Sequence, residues 1–213
     1  YLDENSTTTT ITADARSGSS CTLTASTSTF VSTDVGRFVK IYNGYVKITA
    51  FTSATVVVGT VGTDELGIAE ILPSYASDTI SFVEGDPSST GSSHNDFIRD
   101  SAKQFVEEGF TEGMIITASG SVVSSGANNK DYEIVKVTSD EITLVPVDDV
   151  VAESASPTIT LVGKLIATTD WSLGAFSTTT GHPRACAFYE QRLVFAGTTS
   201  QPQSVFFSVA GDF

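Results

Sequence analysis

The only imidazoles in this 213-residue chain are His94, between Ser93 and Asn95, and His182, between Gly181 and Pro183. A nucleophilic triad needs one of them as its base. Neither is placed beside an acid that would orient it, and no Gly-x-Ser-x-Gly elbow presents a serine at a strand-to-helix turn. Carboxylate pairs occur at Glu107-Glu108, Asp140-Glu141 and Asp148-Asp149. Adjacent residues on a strand face opposite sides, so two of these pairs cannot converge on one substrate as glycosidase carboxylates must, and all three read as solvated turn and edge charges. Asp148, Asp149 and Glu153 share a loop of the oxygen chemistry calcium takes, but the Asp-x-Asp-x-Asp-Gly pattern is missing and a plain acidic turn is expected. Phosphate cradles of the Gly-x-Gly-x-x-Gly or Walker type are absent. Cys21 and Cys186 each sit in a strand-like run without a second thiol or imidazole at ligand spacing, and read as two buried thiols. The expectation is no catalytic residue, no cofactor and no metal.

Composition points to the elements behind this. Hydrophobic residues make up 40% of the chain at a mean hydropathy of +0.10, enough for one large domain or two small ones. No run approaches the roughly 20 apolar residues of a spanning helix, so no membrane span is expected. Twenty-five acidic side chains against 11 basic give a net charge of −14, which disfavours binding to a phosphate backbone. Ser and Thr form roughly a quarter of the residues, a composition suited to sheets with hydroxyl-bearing outer faces. The expected class is all-β.

Alternating, β-branched runs predict strands at Phe38 to Ile41, Tyr45 to Phe51, Thr55 to Val61, Thr79 to Val83, Met114 to Ala118, Tyr132 to Val137, Glu141 to Val145 and Thr158 to Val162. Aromatic-rich strands follow at Ala185 to Tyr189, Arg192 to Ala196 and Ser204 to Ser208. The best helical spacing, Ala102, Phe105 and Val106 within Asp100 to Gly109, predicts one or two turns.

Two stretches repeat. Val46 to Val58 aligns with Tyr132 to Leu144 at an offset of 86, with coincident apolar positions and a shared Thr-Ser. Upstream, Phe30 to Gly36 matches Phe105 to Phe110 at an offset of 75, and the polar loop Gly120 to Lys130 takes up the difference. Phe30, Gly36, Phe105 and Phe110 are the anchors of the repeat. Two small related barrel or sandwich-like units are expected, the second inserted in the first. The predicted division is 1–77 for the first part of the parent, 78–163 for the insertion and 164–213 for the return and a β-meander. The chain opens at Tyr1 without an initiator Met and stops just past a strand-like run, which reads as a piece of a longer protein.

The meander carries a resemblance. Trp171-Ser172-Leu173-Gly174, then Gly181, Pro183, Arg184, Arg192, Leu193, Gly197, Pro202, Ser208, Gly211, Asp212 and Phe213, resemble virion proteins of tailed bacteriophages, in particular the nozzle (tail tubular protein B) group of short-tailed phages. There a Gly-x-Pro segment leads to an apolar strand, an Arg-Leu strand and a Ser-x-x-Gly-Asp-Phe turn. The resemblance implies a non-catalytic structural subunit of a phage tail in the virion, assembled in the host cytoplasm. It also implies a ring of copies, a hexamer, next to other tail and portal-adaptor proteins, with the meander opening a β-propeller. DNA would pass through such a ring without specific binding, and a lumen wall bearing part of the acidity would repel phosphates.

The residues supply their own reasons for the meander. Pro183 stiffens the approach to the Ala185 strand. Phe188, Leu193, Phe195, Val205 and Phe207 alternate as inward anchors, and Arg184 and Arg192 could pair with Glu190, Asp212 or a neighbouring subunit. Two other function classes compete: a glycan-binding surface module, for which Tyr42 and Tyr45 around Asn43-Gly44 offer a hairpin tip, and a depolymerase whose active residues lie elsewhere.

Overall fold

The computed structural model describes residues 8–62, 70–85, 96–178 and 180–208. The first strands in chain order are β1 (Ile11–Ala13), β2 (Cys21–Ala25), β3 (Phe38–Ile41), β4 (Gly44–Ser53) and β5 (Val56–Val61). Then come β6 (Ser74–Ser77), β7 (Ile80–Val83), β8 (Phe97–Asp100), β9 (Ile115–Ser119), β10 (Asp131–Val137), β11 (Glu141–Leu144) and β12 (Ile159–Gly163). The last are β13 (Trp171–Leu173), β14 (Ala185–Tyr189), β15 (Arg192–Ala196) and β16 (Val205–Phe207). The protein is all-β; its only helical pieces among the described residues are single 3-10 turns at Ser32–Asp34 and Val123–Ser125.

The chain divides into two units, one made of residues 1–71 with 165–213 and the other of residues 72–164. In the first, six strands follow the order β1-β2-β5-β4-β3-β13. Its sheet curls until β1 meets the chain ahead of β13, where Ile11 and Thr168 exchange backbone hydrogen bonds of 2.8 and 2.9 Å. Alternation decides the core: Leu23, Val39, Ile41, Val46, Ile48 and Val57 point inward and are buried, and the polar residues between them face out.

The second unit runs β6-β12-β9-β10-β11-β8-β7 and is joined by paired backbone bonds between Phe82 and Glu153. Read from β7, its order is that of the first unit strand for strand: β7, β8, β11, β10, β9 and β12 stand where β1, β2, β5, β4, β3 and β13 stand, all antiparallel. The anchors correspond too. Phe30 and Phe105 are buried, and their backbone N–H groups donate to the equivalent turn carbonyls of Ala54 and Ser139.

Register refines the sequence alignment. Gly36 and Gly113, at φ 91° and 81°, each donate to the carbonyl of Ile48 or Ile134, so Gly36 corresponds to Gly113 and not to the Gly109 turn. The offset of 86 holds for β4 against β10 but becomes 85 across the turn, because Leu23 opposite Val57 matches Ile98 opposite Ile142. Two register shifts interrupt the β4–β5 pair and one the β10–β11 pair, and the extra bulge takes up the residue.

Other expectations fail for physical reasons. Residues 100–109 form no helix: Asp100 ends β8, its carboxylate accepts the N–H groups of Ala102 and Gln104, and Lys103 turns left-handed at φ 61°. Phe105 points inward and Val106 outward, so no helical stripe exists to bury. Strand β6 pairs with β12, which puts Ser74–Ser77 with the inserted unit ahead of the expected boundary at 78. Cys21 is buried with its thiol directed at the Ala15 carbonyl, but Cys186 is exposed; both are free. Tyr42 lies in the core, where its hydroxyl donates to the Ile166 carbonyl and accepts the Ile166 N–H, so it supplies no exposed sugar platform.

Candidate functional site

Among the described residues four carboxylates are buried, and each is engaged by donors close along the fold. Asp34 accepts the Val31 N–H and pairs with Arg37 at 2.8 Å. Asp96 accepts the N–H groups of Gly85 and Val150. Asp100 takes the hydroxyls of Thr79 and Tyr75 and two backbone N–H groups. Glu153 takes the N–H groups of Val122 and Val123, the Ser121 hydroxyl and the Asn128 amide. Burial alone would raise the pKa of Asp100 and of Glu153, yet their hydrogen bonds outweigh it and hold both below the ordinary value. These are clasps that tie loops to barrels. Replacing Asp100 by Ala, the residue the first unit carries at the equivalent position Ala25, strands those donors and should cost roughly 3 kcal/mol in urea unfolding; a loss below about 1 kcal/mol contradicts this clasp role.

The other chemical candidates among the described residues are dispersed. Asp148 accepts the Glu133 N–H and the Asp149 carbonyl takes the Lys130 ammonium, while Glu153 points inward, so the acidic loop does not converge. Asp140 approaches Lys103 and Glu141 approaches Arg99, whereas Glu107 and Glu108 are exposed in a turn. Among the described residues no group of three His, Cys, Asp or Glu could hold a metal ion. His182 is exposed, and His94 lies outside the described residues. No helix of the described residues is long and apolar enough to cross a membrane.

What stands out instead is the three-stranded sheet β14-β15-β16. One face holds Cys186, Phe188, Leu193, Phe195 and Phe206, and Phe176 packs edge-on against Phe195 at 5.8 Å and Phe206 at 5.0 Å. The other face aligns Ala185, Ala196 and Val205 in one row and Ala187, Val194 and Phe207 in the next, with Tyr189 beside Arg192 at the tip. On it Tyr189 is 61% exposed, Val205 52% and Phe207 47%, against 8% for Phe206. The expected inward set was therefore right in face for Leu193 and Phe195 but out of phase in β16, where Phe206 enters; Phe188 shares the inner face yet remains 71% exposed at the edge. Three short strands give too little sheet to bury both faces, and among the described residues the face of Tyr189, Val205 and Phe207 stays exposed.

The motif residues build the mount of this sheet. Trp171 is buried in β13 and donates its indole N–H to the Thr9 carbonyl at 2.8 Å; the Gly174 N–H donates to Phe38 at 2.6 Å and its carbonyl receives Arg37 Nε. Gly181, at φ 89°, bonds back to Ser177, and a Cβ there would lie 2.6 Å from the Thr199 nitrogen. Gly181→Ala should accordingly lower stability by about 2 kcal/mol, read as the urea midpoint of the purified protein; an unchanged midpoint would refute the tight approach. Pro183 is half-buried, Pro202 exposed, and Gly197 turns at φ 70°. Ser208 clasps the neighbouring strand: its hydroxyl accepts the Leu193 N–H, its own N–H donates to the Leu193 carbonyl, and its carbonyl accepts Arg192 Nη1 at 3.1 Å. Neither Arg192 nor Arg184 forms an ion pair among the described residues, and Gly211, Asp212 and Phe213 lie outside them. Sequence alternation located the strands; the uncovered face needed the register. No family model matches the chain, and neither the curated proteins nor the solved structures contain a significant match to it.

Proposed function

We propose that this chain is a non-enzymatic structural subunit of a bacteriophage tail, of the nozzle type, whose copies join in a ring through which DNA passes. The observation that carries the reading is the open apolar face of β14–β16, in the segment that bears the resemblance: a sheet face presenting Tyr189, Val205 and Phe207 calls for a further protein layer. Two compact barrels with their buried carboxylates tied to their own loops supply stiffness to such a wall. A hexameric ring, portal-adaptor neighbours and a place in the virion follow from the resemblance. Charge supports passage without adhesion, since residues 72–164 carry 15 acidic and 5 basic side chains, or −10 of the −14.

Negative-stain electron microscopy of the purified protein tests the reading, with closed rings around an open bore as the expected image. Fluorescence anisotropy with duplex DNA should show no binding even at about 0.05 M salt. Single particles without rings, or release of sugars from a polysaccharide panel, would remove it in favour of an unassembled or depolymerising protein.

A further inference from the structure

The shared strand order lets each outward row of the inserted unit be read against its counterpart in the parent unit, and one row has changed chemistry. The parent row sets Thr12 opposite Thr24 and Thr24 opposite Val56. At the equivalent places the inserted unit sets Ser81 opposite Arg99 and Arg99 opposite Glu141. The Arg99 guanidinium lies 5.0 Å from the centre of the Phe97 ring and 3.5 Å from the Glu141 carboxylate, two contacts that fix where it stands on the surface. Along the other side of β7 runs the segment 152–155, joined to it by the paired backbone bonds between Phe82 and Glu153. Glu153 enters the interior, so its neighbours Ala152 and Ser154 face outward and are exposed. Arg99 and this segment are the walls of a groove of about 470 Å³, and Ser81 and Val83 are its half-buried floor. Thr79 and Ser101 line one end of the groove and Glu84 the other.

We propose that this groove binds a neutral saccharide. Its volume falls within the roughly 300–1,000 Å³ of small-ligand sites. A sugar ring carries hydroxyls around its rim and C–H groups on its faces, and the groove matches both. Val83, Ala152 and Ala155 supply apolar surface, and the hydroxyls of Ser101 and Ser154 both donate and accept. The Ser81 hydroxyl donates to the Arg99 carbonyl at 3.4 Å and keeps its lone pairs for an incoming hydroxyl. Arg99 adds charged donors and Glu84 a charged acceptor, which bind hydroxyls more strongly than neutral partners do. The charge of Arg99 is already answered by Glu141, and the unit carries 15 acidic against 5 basic side chains, a balance that disfavours an anionic ligand. The inference goes beyond the ring reading and does not depend on it, since the groove lies wholly within the inserted unit.

Saturation-transfer NMR of the whole chain with maltose, lactose, cellobiose and N,N′-diacetylchitobiose tests it, for single molecules and assemblies alike. At least one of these neutral disaccharides should bind with a dissociation constant of about 10 mM or below. Ser154→Trp fills the groove from an exposed position, and Arg99→Ala with Ser81→Ala removes two of its polar partners. Each should raise that constant about tenfold or more. Tyr45→Ala, in the hairpin of the parent unit, should leave it unchanged. Circular dichroism and the urea midpoint of each variant separate lost binding from lost folding; if one groove variant unfolds, the other decides. No binding of any of the four at about 20 mM overturns the proposal. Undiminished binding by a folded Ser154→Trp chain does the same, as does loss in Tyr45→Ala alone, which would move the sugar to the hairpin tip. Tighter binding of sialyllactose than of lactose would make Arg99 an anion contact and overturn the neutral reading. Closed rings that bind no sugar would sink this site and leave the ring standing; single particles that bind sugar in the groove would do the reverse.

Discussion

Acidified through about pH 4, the protein should lose the fold of residues 72–164 before that of the parent unit. Among the described residues, three of the four buried carboxylates, Asp96, Asp100 and Glu153, lie in that unit, held by N–H, hydroxyl and amide donors; the fourth, Asp34, lies in the parent unit beside Arg37. The pKa of Asp100 falls below 3.8 and that of Glu153 below 4.5, because their hydrogen bonds favour the charged form more than burial disfavours it. A folded-state value below the unfolded one stabilises in full above the unfolded pKa, and that stability is lost as pH falls through the folded pKa. Protonation also leaves the backbone donors facing a weaker acceptor. Hydrogen exchange resolved along the chain measures the order of loss. The single tryptophan, Trp171, lies in the parent unit and provides a second probe, whose emission should stay native-like while amides of β8 to β12 exchange. Simultaneous loss in both units, or protection of residues 72–164 down to about pH 2, would show that these clasps do not set the acid limit.

Phe105→Ala should cost about 4 kcal/mol, the largest single-residue loss expected here. Phe105 is fully buried, with Tyr75 edge-on at 6.3 Å and Phe110 edge-on at 5.9 Å, so truncation removes a ring and leaves a cavity between two others. Its backbone is already fixed by a 3.1 Å hydrogen bond from its N–H to Ser139, which limits collapse into the void. Phe105→Leu keeps most of the volume and should recover more than half of the loss. Urea unfolding of both variants decides it; a cost below about 1.5 kcal/mol for the alanine variant would mean that the turn is not anchored by this ring. Phe30 holds the equivalent place in the parent unit and should respond in the same way.

Much of the fold was legible because strand alternation is a local property. Phe38–Ile41 and the β14 and β15 strands were predicted to the residue, since β-branched and aromatic runs with period two leave little choice of boundary. Phe30 and Phe105 could be matched because each is a Phe-Val pair followed within a few residues by a glycine, although the glycine equivalent to Gly36 is Gly113 rather than Gly109. Less legible were β6, whose Ser-Tyr-Ala-Ser sequence lacks an apolar face, and β8, which runs into the turn clasped by Asp100. That carboxylate's effect depends on donors from Thr79 and Tyr75, more than twenty residues upstream.

The amino-acid sequence by itself determined the all-β class and the strand-rich repeat, because composition and periodicity act over neighbouring residues. Only the tertiary structure decided which side of each strand became interior. A shift of one residue exchanges the two faces of a strand, so pairing partners alone could put Phe206 inside and Phe207 outside, bury Tyr42, and bring Lys47 and Glu133 to equivalent positions on two barrels.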